Sequence, residues 1–209
     1  MAAEAHKLNR RAHAKEIRRQ QLIDATINCI ARKGLGNTTL ADVAREAGLS
    51  QGIVNLHFDS KNNLLNETLQ FLAEEYDQLF MKTLGGHEDD PARCLRALLE
   101  MDLKPAVCER KKLAVWFAFW GEVKAVPTYR KICTARDRKY DELRANLVER
   151  IIHDGHYKNM DPTVITDALS AVTDGLWLSY QVNPGDFDRS AARNGINVLL
   201  KSVFPNHYS

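Results

Sequence analysis

The chain has 209 residues, 44% of them hydrophobic and 27% charged, with a formal net charge of +2. This balance excludes a disordered chain or a disulfide-built miniature, and the length suffices to bury a core without metal or cross-link. The charge is uneven: residues 1–61 carry ten Lys or Arg against six Asp or Glu, and the basic excess gathers before Gln20 at Lys7, Arg10, Arg11, Lys15, Arg18 and Arg19, as a polyanion contact needs, although a solvated tail reads the same way.

Helical spacing runs through the chain. After a basic arm over residues 1–13, Ile23, Ile27 and Ile30 at i, i+4, i+7 predict a first helix from about Ala14 to Lys33, stopped by Gly34 and Gly36. Leu40, Val43, Ala44 and Ala47 predict a short second helix, with Thr39 as N-cap and Asp42 as the acid of a capping box. Gly48 ends it, and Ser50 caps a third helix carrying Ile53, Val54 and Leu56. Asp59 or Ser60 opens a long fourth helix, with Leu65, Leu69, Leu72, Tyr76 and Leu79 as its apolar stripe.

The run from Gly85 to Pro91 is a break. Helices are then predicted at about Ala92 to Ala106, Lys112 to Lys124 and Thr128 to His153, the last two separated by Val126-Pro127. Asp161-Pro162 is an N-cap acid followed by proline at the first helical position, and starts a helix to about Val182. A turn at Asn183-Pro184-Gly185 and a cap at Asp186 or Asp188 lead to a last helix ending near Phe204. No alternating strand pattern, repeat or low-complexity tract interrupts the series. The expected fold is all-α, with about nine helices.

The segment from Thr39 to Phe58 has the parts of a helix-turn-helix. Two short helices crossing steeply over a tight turn need small residues at the crossing, here Ala44 and Ala47, and a glycine at positive φ, here Gly48. Leu49 is expected to anchor the turn from below, and Gly52 to let the third helix approach its surroundings closely. Ser50, Gln51, Asn55 and His57 lie on or next to the outer face of that helix. Glutamine and asparagine can pair bidentately with an adenine edge in a DNA major groove. Thr39 and Lys61 stand at helix starts, where amides and a cation meet phosphate, and Arg18 and Arg19 extend the basic run onto the predicted first helix. Residues 14–60 are therefore expected to form a DNA-binding domain, with residues 61–209 as a second domain.

These motifs resemble those of the TetR/AcrR repressor family: Thr39, the run Ala47-Gly48-Leu49-Ser50-Gln51-Gly52, then Phe58, Lys61 and Leu64-Leu65. Within it the chain is most similar to the BetI-like repressors of choline-to-betaine genes, on the stretches Arg18 to Thr26, Lys61 to Leu65, AVWFAFW and DGLWL. The resemblance implies a homodimer reading a palindromic operator, a fourth helix as connector, and a distal ligand-binding and dimerisation domain. No Ser-His-Asp, Walker or dinucleotide motif appears, so neither a cofactor nor an enzymatic activity is expected.

Trp116, Phe117 and Trp120 crowd one predicted helix, and Asp174 and Trp177 lie one turn apart on another. Aromatic faces with a carboxylate suit a quaternary ammonium ligand such as choline, with Asp174 or Glu122 balancing charge; the same spacing also describes ordinary core. Leu169, Val172, Leu176, Ile196, Leu199, Leu200 and Val203 are the expected dimer stripe on the last two helices. Two rivals share the helix-turn-helix: a regulator answering to an unrelated hydrophobic ligand or efflux system, and an effector-free DNA-binding dimer. His153 and His156 flank a helix-ending glycine without a third ligand and read as surface loop, so no metal is expected.

The cysteines Cys29, Cys94, Cys108 and Cys133 are too widely spaced for a zinc knuckle or a CxxC pair and are expected to be reduced thiols. The polar opening has no signal-peptide core, and the longest apolar stretch, Leu113 to Trp120, is too short to span a bilayer. A cytoplasmic protein without membrane contact is expected.

Overall fold

The computed structural model describes residues 2–87 and 89–208, and among them nine α-helices and no strand. In chain order they are α1 (Ala2–Lys33), α2 (Leu40–Glu46), α3 (Gln51–Phe58), α4 (Lys61–Gly85), α5 (Pro91–Met101), α6 (Arg110–Glu122), α7 (Pro127–Asp154), α8 (Pro162–Val182) and α9 (Arg189–Val203). They divide into two compact units: Met1–Leu72 with Ala114–Arg130, and Ala73–Leu113 with Lys131–Ser209.

In the first unit, α2 packs against both α1 and α3. Leu22, Ile23, Ile27 and Ile30 of α1, Val43 and Ala44 of α2, Val54 and Phe58 of α3, and Leu64, Leu65 and Leu69 of α4 are all buried. Each large aliphatic side chain so buried contributes roughly 1.5–3 kcal/mol of transfer free energy. Thr26 and Thr68 are buried with them, and their hydroxyls donate to the carbonyls of Leu22 and Leu64, both at 2.7 Å, so neither is left unsatisfied. Phe119 and Tyr129 meet edge to face at 4.7 Å in the same unit.

The first helix begins at Ala2, not near Ala14. Its opening segment is rich in Ala, Glu, Lys and Arg, residues that propagate a helix without an apolar stripe, so periodicity could not announce it. The side chains of Lys7 and Arg11 lie outside the described residues.

In the second unit α5 packs on α9. Leu95, Leu98, Val148, Ile151, Leu169, Ile196 and Leu200 form its core. The chain end is pinned there: Tyr208 is buried, its hydroxyl donates to the Ala92 carbonyl at 2.7 Å, and Arg96 lies 4.7 Å above its ring. Asp90, Asp161 and Asp188 each accept amide bonds at the starts of α5, α8 and α9. α5 stops at Met101 rather than near Ala106. Lys104 precedes Pro105, and the residue before a proline is driven out of helical geometry. α7 likewise starts at Pro127, one residue before its expected start.

Candidate functional site

The α2–α3 turn is built by its capping chemistry. Thr39 and Asp42 form a reciprocal capping box: the Asp42 amide donates to the Thr39 hydroxyl, and the Thr39 amide donates back to the Asp42 carboxylate. Lys33, 2.7 Å away, and the Thr39 hydroxyl hold the Asp42 carboxyl well below the usual carboxylate range. At the far end Gly48 takes φ +65°, its amide donates to Arg45, and the Leu49 amide donates to Ala44 at 2.9 Å. This is a Schellman closure, which needs a left-handed residue that glycine supplies without strain. Gln21 of α1 donates to the Ala47 carbonyl at 2.6 Å and fastens the turn to the core.

Beyond the turn, α3 presents Gln51, Gly52, Asn55 and Leu56 to solvent on one face, and buries Val54 and Phe58 on the other. Leu56 is 72% exposed. Hydrophobicity groups it with Ile53 and Val54, yet its position next to Asn55 puts it on the outer face.

Several expected details differ. Leu49 is only half-buried. The Ser50 hydroxyl makes no capping bond; its carbonyl accepts from Ile53 and Val54, and the hydroxyl remains exposed. Among the described residues a Cβ on Gly52 would meet only the Ser50 hydroxyl, at an ordinary 3.8 Å, so none of them demands a glycine there. His57 is half-buried, and burial together with Lys15 lowers its pKa, favouring the neutral ring. Arg18 is exposed and donates to Gln21. Arg19 is paired with Glu67 at 2.7 Å and Glu16 at 3.3 Å, and Lys61 donates to the Gly36 carbonyl at 3.3 Å.

The expected aromatic site divides between the two units. Trp116, Phe117 and Trp120 come together in the first, with Trp120 6.3 Å from Trp116 and edge-on to Phe117 at 5.3 Å. Trp116 is buried, and Glu122 is exposed. Asp174 and Trp177 lie in the second. Solvent reaches Asp174, yet the protein around it removes enough water to push its carboxyl up to about 6, with Arg136 pulling the other way.

Trp177 belongs to a cluster that the sequence did not reveal. Its ring is edge-on to Tyr76 at 6.3 Å; Tyr76 lies 5.1 Å from Tyr140, and Tyr140 lies 4.4 Å from Phe80. Among these rings Asp102 is only 1% exposed. Its carboxylate accepts from the Tyr76 hydroxyl at 2.7 Å and from Arg144 at 3.3 Å, and its backbone carbonyl accepts from the Trp177 indole at 2.7 Å. Burial pushes the Asp102 carboxyl upward, opposed chiefly by the Arg144 guanidinium. Arg136 and Arg144 lie over the Tyr76 and Phe80 rings at 5.3 and 5.4 Å. Here cations, aromatic faces and a buried carboxylate already coexist.

Of the expected dimer stripe, three residues lie inside the unit. Leu169, Ile196 and Leu200 are at most 2% exposed, because hydrophobicity selected the unit's own core. Val172 is exposed, and Leu176, Leu199 and Val203 are half-buried. A different seam is open: Val164, Ala168, Ala171, Gly175, Leu178 and Val182 alternate four- and three-residue steps along α8, as Ala191, Gly195, Val198 and Ser202 do along α9, all exposed. A Cβ on Gly175 or Gly195 would meet nothing within 4 Å. A mid-helix glycine costs about 1 kcal/mol relative to alanine, and none of the described residues requires either one.

His156 takes a left-handed φ of 51° just past α7, and among the described residues no group of three or more His, Cys, Asp or Glu is placed to hold a metal. No helix among them is long and apolar enough to cross a membrane.

Comparison with known proteins bears on both units. Residues 22–68 match the family described as bacterial regulatory proteins, tetR family, and residues 91–205 match BetI-type transcriptional repressor, C-terminal. An HTH-type transcriptional regulator BetI from Burkholderia thailandensis is 33% identical over 181 residues, covering 85% of this chain and 89% of that protein. The BetI regulator of Pseudomonas aeruginosa is 30% identical over 180 residues, covering 85% and 88%. Among solved structures, a putative transcriptional regulator from Pseudomonas aeruginosa superposes with a TM-score of 0.80 at 24% identity, covering 92% and 93%. One from Saccharomonospora viridis, in complex with choline, gives 0.75 at 23% identity, covering 88% and 95%.

Proposed function

The chain belongs to the TetR family of bacterial transcriptional regulators, with a C-terminal region of the BetI repressor type, and on that premise we propose a cytoplasmic homodimer that represses choline-to-betaine genes and answers to a quaternary ammonium effector. Membership makes it a ligand-controlled DNA-binding repressor rather than an enzyme. The finer reading concerns which residues read the operator, what the effector is, and how two chains meet.

In the reader, Gln51 and Asn55 address base edges from the exposed face of α3, with Leu56 beside them for a thymine methyl. Ser50, Thr39, Arg18 and Lys61 address phosphates, and His57 supports the face from below. Two such helices about 34–36 Å apart would read successive major grooves of a palindrome. The open seams of α8 and α9 are suited to pair with their copies, since exposed mid-helix glycines allow close backbone approach.

The observation that carries the effector reading is the Asp102 cluster. A buried carboxylate ringed by Tyr76, Phe80, Tyr140 and Trp177 suits a soft cation that cannot donate hydrogen bonds. The choline bound by the Saccharomonospora viridis regulator supports the same ligand class. Trp116, Phe117 and Trp120 then serve as packing of the first unit.

The test is operator binding, followed by fluorescence anisotropy on duplexes selected from a random pool, with and without choline. A typical allosteric coupling of about 1–3 kcal/mol predicts a 5- to 150-fold change in affinity. An affinity that choline leaves unchanged, with a hydrophobic compound shifting it instead, would overturn the cationic effector. An affinity that no small molecule shifts would favour an effector-free dimer.

A further inference from the structure

The structure points to Arg144 as a built-in substitute for the effector: we propose that a quaternary ammonium binds by taking the place of the Arg144 guanidinium beside Asp102, and that Asp141 receives the displaced guanidinium. The inference rests on the cationic effector reading and adds the mechanism of exchange.

Arg144 lies inside the cluster, with a side chain 7% exposed. It donates to the Asp102 carboxylate at 3.3 Å, to the Tyr76 hydroxyl at 3.1 Å and to the Ser170 hydroxyl at 3.3 Å, and its guanidinium carbon stands 5.4 Å from the centre of the Phe80 ring. These are the contacts a bound cation would make: a carboxylate on one side and an aromatic face on another.

The fit is loose. Charge-assisted N–H···O bonds run to about 2.7–2.9 Å, and each of these is longer. The Arg144 Nε is buried with no hydrogen-bond partner among the described residues. A guanidinium held by long bonds, with one donor unmet, is easier to exchange than a bidentate pair.

It also has somewhere to go. Asp141, one turn earlier on α7, is 3.8 Å from Arg144 Nη1 and partly open to solvent. Ser170 bridges the two, accepting from Arg144 and donating to Asp141 at 3.1 Å. Asp141 lines a cleft of about 430 Å³ with Asp137, Glu142 and Asp167, where Arg138 is the one basic residue among the described lining. This surplus of carboxylates attracts a cationic ligand and can receive the released arginine.

Exchange of one cation for another keeps Asp102 neutralised throughout. A neutral ligand of the same shape would leave the buried carboxylate without the guanidinium that chiefly offsets its burial, which proteins tolerate poorly. Selectivity for charge over shape therefore follows from the exchange itself. The Tyr76 hydroxyl and the Trp177 indole hold Asp102 in place while the cation changes.

The experiment compares choline with its neutral carbon isostere, 3,3-dimethylbutan-1-ol, by titration calorimetry on the full chain. Arg144→Gln is expected to bind choline at least tenfold more tightly than wild type, with no gain for the isostere, and choline alone should recover its lowered Tm. Asp141→Asn leaves the cluster intact but removes the receiving carboxylate, and is expected to weaken choline binding at least threefold; it decides the matter if Arg144→Gln does not fold. Choline binding of equal strength in wild type and both variants would overturn the exchange and leave the effector reading standing. Choline binding to none of the three would overturn both.

Discussion

The guanidinium of Arg19 stands 2.7 Å from the carboxylate of Glu67 and ties α1 to the early turns of α4. A second carboxylate, Glu16, lies at 3.3 Å. Arg18, next in the chain, donates to the neutral amide of Gln21 and keeps its charge uncompensated by that bond. The two neighbours should therefore behave differently. Arg18→Ala is expected to reduce the salt slope of operator binding by about 1. Arg19→Ala is expected to change the slope less, and to lower stability by up to about 1 kcal/mol. Salt titrations and thermal unfolding of the two variants check this; equal slopes would place both arginines on phosphate.

Asn55 and Leu56 share the outer face of α3. Asn55→Ala is expected to cost about 1–3 kcal/mol at the operator and to relax preference at one base pair. Leu56→Ala should relax preference for thymine, and both variants should keep the wild-type melting temperature because neither side chain is buried. Binding to a panel of single-substitution operators is the measurement. Uniform weakening across the panel would mean that Asn55 touches backbone rather than base.

Gly175 and Gly195 are open to solvent along α8 and α9. The double variant Gly175→Leu, Gly195→Leu should keep its helical circular dichroism, since nothing within the chain obstructs the new side chains. It should sediment as a monomer and lose operator affinity by a factor of at least ten. A dimer of unchanged strength would place the interface elsewhere.

Asp174 supplies a pH prediction. Its proton is held to about 6, above the ordinary 3.8. As pH rises the unfolded chain releases this proton first, so the group's stabilising contribution is present below about pH 4 and lost as pH passes about 6. Asp174→Asn should flatten the stability profile across that window and raise stability at neutral pH, by no more than about 1 kcal/mol given the solvent that reaches the carboxylate. Urea midpoints across the window check it; an unchanged profile would mean that Asp174 titrates normally.

The helices were legible wherever their signals were local. Thr39 with Asp42, Asp161 with Pro162, and Gly48 each act within a few residues, and all three stand where their spacing places them. The aromatic cluster was not legible, because Arg144 and Tyr76 are 68 residues apart and no periodicity relates them. Asp102 was hidden further by an expected helix running through it, although Pro105 argues against that helix. Part of the expected dimer stripe is interior for another reason: the strongest hydrophobes, Leu169, Ile196 and Leu200, are drawn to the unit's own core, and the exposed seam is made largely of Ala, Gly and Val. The start of α1 lacked any apolar stripe to read.

The four cysteines are all buried, one in the first unit and three in the second. Burial also raises the thiol pKa of Cys29, Cys94 and Cys108, so little thiolate forms even where reagent arrives. Each sulfur can then be alkylated only when its own surroundings open. The chain thus carries reporters of local breathing in both units, and their labelling rates, followed by mass spectrometry with and without operator or choline, would give the opening free energy of each unit separately.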